Sequence, residues 1–86
     1  MVFFALTRPG YDELRSRFGA PPSPLWVNKD VLSESELADL RATGINVTHF
    51  THHVAPKDRS SVEGAVDTIA THHPNDTIWV EQARDL

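Results

Sequence analysis

The sequence predicts a small α/β sandwich, and three observations carry that prediction. Apolar runs of strand length alternate with amphipathic stretches of helix length. Start and stop signals bracket those stretches. Each connection between strands is long enough to hold a helix, which makes the strands parallel with right-handed crossovers.

The elements follow in order. "VFFAL" (Val2–Leu6) is a continuous apolar run, as expected of a strand covered on both faces. "PGYDELRSRFG" places Tyr11, Leu14 and Phe18 at helical spacing. Asp12 and Glu13 are expected in its first turn and Arg15 and Arg17 later, which complements the helix dipole. Gly19 and "APPSP" end it. "LWVN" (Leu25–Asn28) is the second strand. In "LSESEL", Ser33 is the expected N-cap and Glu36, three residues on, completes a capping box, with Leu32 and Leu37 as the hydrophobic staple. Gly44 is the expected left-handed C′ residue, with Ile45 folding back on Leu40. "NVTHFT" (Asn46–Thr51) is the third strand. "SSVEGAVDTIATHHP" is the third helix. Ser60 and Glu63 are expected as a second capping box, Val62, Ala65, Val66, Ile69 and Ala70 as the apolar face, and Pro74 as the stop. "TIWVE" (Thr77–Glu81) is the last strand.

The pattern β-α-β-α-β-α-β gives a four-stranded, mostly parallel sheet in a three-layer sandwich. Its element order resembles half of a Rossmann-type or flavodoxin-like fold; the resemblance is one of element order alone. The most apolar strand, the first, belongs at the centre, and the most polar, the third, at an edge. The expected strand order is 3-2-1-4, with 2-1-3-4 as the alternative.

Composition bounds the function. Eighty-six residues suit one domain spanning 1–86. The chain has no cysteine, which excludes disulfides and thiolate chemistry. Eight Lys and Arg against twelve Asp and Glu give a net charge of −4. Scattered bases and a negative balance argue against a nucleic-acid partner. No run is long and apolar enough to span a membrane, and no positive charge precedes "MVFFAL" as in a secretory leader, so a cytoplasmic location is the expectation. The sequons "NVT" at Asn46 and "NDT" at Asn75 are read as chance.

In open parallel sheets, ligands bind at the carboxyl ends of the strands. Those ends carry "TRPG" (Thr7–Gly10), "NKD" (Asn28–Asp30), "THH" (Thr51–His53) and "EQ" (Glu81–Gln82), and from them Thr7, Arg8, Asn28, Lys29, Asp30, His52 and His53 are the candidate ligand-binding residues for a small molecule. A polar rim is also what solvent-facing loops require, and the sequence favours that plainer reading. "TRPG" has one glycine where a dinucleotide loop needs three, and no P-loop motif occurs, so no cofactor is expected. The segment "INVTHFTHH" invites a metal reading. Along a strand, however, His49 and His53 stand roughly 13 Å apart at about 3.3 Å per residue. His49 is expected at a half-buried sheet position and His52 and His53 in the following loop. His72 and His73 close the third helix at the opposite end of the sheet. No metal site is therefore expected. Ser33, Ser60 and Ser61 read as caps or their neighbours, so no catalytic residue is assigned. Asp30 with His52 or His53 could make an acid–base pair only if the rim brought them together. Trp26 and Trp79 are expected in the core. The leading expectation is a non-enzymatic domain that associates with a protein partner, or with itself, through an open sheet edge. A ligand-binding or catalytic rim is the alternative.

Overall fold

Val2–Ala5 form β1 in the computed structural model, which describes residues 1–82. The remaining elements are α1 (Arg8–Phe18), β2 (Leu25–Val27), α2 (Glu34–Ala42), β3 (Val47–His49), α3 (Arg59–His72) and β4 (Ile78–Val80). The sheet runs β3-β2-β1-β4 and every pairing is parallel. This is the expected order. The alternative 2-1-3-4 fails because β1 pairs with β4 rather than with β3.

Right-handed crossovers fix the layers. The chain moves outward from β1 to β2 to β3, so α1 and α2 share one face. It then returns across the sheet to β4, so α3 covers the other. The two core clusters record this division. Tyr11 and Leu37 meet Ala5, Leu25, Val27 and Val47 on the first face. Ala65 and Ile69 meet Val2, Phe4, Trp26, Phe50 and Val54 on the second, with Val62, Val66 and Ile78 packed against them.

The second helix forms as its signals require. The Ser33 hydroxyl accepts from the Glu36 amide at 3.1 Å, and the Glu36 carboxylate accepts from the Ser33 amide at 3.0 Å. At the other end, the Gly44 amide donates to the Arg41 carbonyl and the Ile45 amide to the Leu40 carbonyl, each at 3.0 Å. That is the Schellman pattern, and Gly44 takes the φ of 88° it needs.

Four expectations are corrected. Helix α1 begins at Arg8, with Thr7 as its N-cap accepting from the Gly10 amide at 3.1 Å. Its first turn therefore holds no acid, and Asp12 and Glu13 lie in the second. Pro9 allows the early start because the first helical amides have no partner to lose. Helix α3 begins at Arg59, capped by Asp58, whose carboxylate accepts from the Ser60 amide at 3.1 Å. Ser60 is thus inside the helix, and the Ser60–Glu63 box does not form. His49 is exposed rather than half-buried, because it ends a three-residue edge strand. Trp79 is 55% exposed, while Trp26 is buried as expected.

Candidate functional site

The exposure of Trp79 follows from topology. Strand β4 is an edge strand, and α1 and α2 lie over the β1–β3 side of the sheet. The face of β4 that Trp79 shares has no described helix above it. Phe3 neighbours Trp79 across the β1–β4 pair, and Phe18 meets Phe3 edge-on with ring centroids 5.4 Å apart. Phe18 is 57% exposed. Together Phe3, Leu14, Phe18 and Trp79 line a groove of about 620 Å³ running along β4. Contiguous exposed aromatic surface of this kind marks interaction sites more than isolated apolar residues do.

The groove is closed at its rim by Glu81. Its Oε1 accepts from the backbone amides of Leu6 at 2.8 Å and Thr7 at 2.9 Å, and its Oε2 accepts from the Thr7 hydroxyl at 2.6 Å. The carboxylate thereby sits beside the N-terminus of α1, where positive dipole and free amides favour an anion. The protein supplies that anion from its own last strand.

The two sheet edges differ. Pairing with β1 uses the Thr77 carbonyl and the Glu81 amide, so residues 77, 79 and 81 face inward and Ile78 and Val80 present their amides and carbonyls outward. Among the described residues no side chain bonds to these outward groups. On the other edge, the Arg41 guanidinium donates to the Val47 carbonyl at 3.1 Å, and Asn46 and His49 stand exposed beside it. Here a cation from α2 holds an edge-strand carbonyl, which leaves that carbonyl unavailable to an added strand. Among the described residues, edge β3 is guarded and edge β4 is open.

The seven rim residues predicted from sequence are not gathered into one cavity. Asn28 is 1% exposed, and its amide is fully engaged. Its Nδ2 donates to the carbonyls of Leu6 at 3.1 Å and Val54 at 2.7 Å, and its Oδ1 accepts from the amides of Lys29 and Val54, both at 2.8 Å. It stitches the ends of β1 and β2 to the loop before α3. Thr7 is held by Glu81 and Gly10. Arg8 donates to both Glu36 oxygens at 2.9 and 2.8 Å, to Asp12 at 3.1 Å and to the Val31 carbonyl at 3.2 Å. The Glu36 carboxylate beside it raises the Arg8 pKa. The Ser33 amide, with help from Arg8, holds the Glu36 carboxyl below its ordinary value. Lys29, Asp30, His52 and His53 are exposed on loops. Of the seven, only Thr7 lines the groove along β4, and none lines a smaller one of about 340 Å³ between the end of β4 and the start of α3.

The histidines separate as expected from their positions. The His52 ring packs on Phe50 at 5.5 Å. At the far end of the sheet, His72 and His73 flank Trp26, whose indole N–H donates to His73 Nε2 at 3.3 Å. The other ring nitrogen of His73, Nδ1, faces Asp76 at 3.5 Å. Among the described residues no three His, Asp or Glu side chains are grouped to hold a metal ion. No described helix is long and apolar enough to cross a membrane.

The candidate residues read from the sequence leave out Trp79, expected in the core, Phe18, expected on the face of the first helix, and Glu81, expected at the rim. The order 3-2-1-4 with right-handed crossovers already leaves one face of β4 bare, and alternation along "TIWVE" puts Trp79 on the face opposite Ile78 and Val80. No protein-family model, curated protein or solved structure matches the chain.

Proposed function

We propose that this domain works by protein–protein association, docking its partner on the open edge of β4 and the aromatic groove beside it. One observation carries the reading: Trp79, more than half exposed and sharing a groove with the exposed Phe18, lies between Ile78 and Val80, whose outward backbone groups no described side chain bonds. Strand addition supplies hydrogen bonds to such an edge, and an adjacent apolar groove supplies specificity. The guarded state of the β3 edge supports the choice of β4.

A photo-crosslinking amino acid placed at Val80, and separately at His49, tests the reading in cell extract. Val80 is on the open edge and His49 on the guarded one. The expected result is discrete protein adducts from position 80 and none from position 49. Equal adduct patterns from the two positions, or adducts from 49 alone, would overturn it.

A further inference from the structure

We infer that the occupant of the β4 edge is a second copy of this chain, paired antiparallel with Trp79 on the two-fold axis. The inference rests on the association reading above and names its partner. A two-fold interface uses the same patch twice, so the patch must complement itself. The sequence "IWV" does so. Ile78 opposes Val80 of the second copy, and Val80 opposes its Ile78. Both residues carry the outward amides and carbonyls, so each pair can exchange two hydrogen bonds. Trp79 then opposes its own copy at the non-hydrogen-bonded position, where Cα atoms approach to about 4.5 Å and side chains are closest. Aromatic pairs are favoured at such positions.

The register is constrained. A slip of one residue sets outward groups against inward ones and forms no ladder. A slip of two sets Asp76 against Val80, or Gln82 against Ile78, and loses the apolar overlap. In the Trp79-centred register Thr77 opposes Glu81, whose carboxylate is turned inward to Leu6 and Thr7, so no like charges meet across the seam.

Closure follows from the other edge. Head-to-tail pairing of β4 with β3 would grow a filament, and Arg41 on the Val47 carbonyl obstructs it. The product is one eight-stranded sheet with a guarded β3 at each end. Its interface is small. Aromatic side chains bury roughly 150–250 Å² each, so the exposed halves of Trp79 and Phe18 from both copies contribute roughly 300–550 Å². With the flanking backbone and Val80, the total stays below the roughly 1,200 Å² of stable specific interfaces, which makes the dimer weak and concentration-dependent.

Sedimentation of the purified chain, from about 10 µM to about 1 mM, reads the mass in the range expected of weak interfaces. The chain has no cysteine, so the variants Ile78→Cys and Val80→Cys each carry one thiol. Far-UV circular dichroism verifies that each variant folds. The expected result is a rise from 9.6 kDa towards twice that mass, abolished by Trp79→Lys, together with oxidation of the mixed variants giving the 78–80 disulfide several-fold over either homodisulfide. A dimer dominated by homodisulfides, or unlinked at both positions, would overturn the register. A monomer at every concentration would overturn the second copy as occupant. Adducts at position 80 in extract would then still uphold the association reading, with a different protein as partner.

Discussion

The carboxylate of Glu81 occupies the space that a β-carbon on Gly10 would fill. Gly10 lies in the first turn of α1, and its lack of a side chain lets the last strand reach over the helix N-terminus. In an ordinary helix position Gly→Ala stabilises by roughly 0.5–1 kcal/mol. Here Gly10→Ala is predicted to destabilise by about 1–3 kcal/mol, because it expels a carboxylate that holds two backbone amides and a hydroxyl. In the Glu81→Ala background the sign should reverse to a small gain. Urea denaturation of the two single variants and the double variant measures this coupling. Equal effects of Gly10→Ala in both backgrounds would show that the two residues are independent.

Leu37 anchors α2 on one face of the sheet and Ile69 anchors α3 on the other, with 4% and 0% of their surface exposed. Truncation to alanine removes burial and leaves a cavity, so each is predicted to cost roughly 2–5 kcal/mol. Phe18→Ala, at a residue mostly in solvent, should cost much less. Chemical denaturation ranks the three, and a Phe18 loss as large as that at Ile69 would contradict the division into core and groove.

The caps make a sharper pair of predictions. Ser33→Ala should cost about 1 kcal/mol and Ser35→Ala close to nothing. For α3, the loss belongs to Asp58→Ala, again about 1 kcal/mol, with Ser60→Ala nearly neutral. Melting temperatures of the four variants decide it. A larger loss at Ser60 than at Asp58 would restore the start read from the sequence.

Glu36 ties the α2 cap to Arg8 on α1, and its carboxyl is held below its ordinary value by the Ser33 amide first and by Arg8 second. A depressed folded-state pKa means the ionised form favours folding. The contribution is therefore present above the unfolded value of about 4.3 and lost as pH falls through the folded one. The stability advantage of the wild type over Glu36→Gln should be flat at neutral pH and shrink below about pH 4. An advantage that does not change with pH would mean that the charge plays no part.

Why some of this was legible is a matter of which interactions are local. The α2 ends were readable because Ser33, Glu36, Gly44 and Ile45 bond within one or two turns of chain. The strand order was readable because burial grades the strands: "VFFAL" is apolar throughout and "NVTHFT" is not. The start of α3 was misread because Ser60 and Asp58 are both good caps and nothing local ranks them. The bare face of β4 is legible only once strand order and crossover hand are combined, and the Glu81 contact that closes the groove is not local. The bonds from Thr7 to Glu81 span 74 residues, and the bareness of Trp79 depends on where two crossovers lay their helices. The rim residue Asn28 looked like a ligand donor because an amide's partners are invisible in sequence. All four of its bonds go to backbone.

Amide hydrogen exchange, followed residue by residue as protein concentration is raised, tests the open-edge account most directly. Ile78 and Val80 on β4 and Val47 and His49 on β3 all point their amides away from the sheet's own ladder. The account predicts that exchange at Ile78 and Val80 slows several-fold with rising concentration while Val47 and His49 keep constant rates. Slowing at Val47 and His49 instead, or constant rates at all four positions up to millimolar protein, would contradict self-association through the β4 edge.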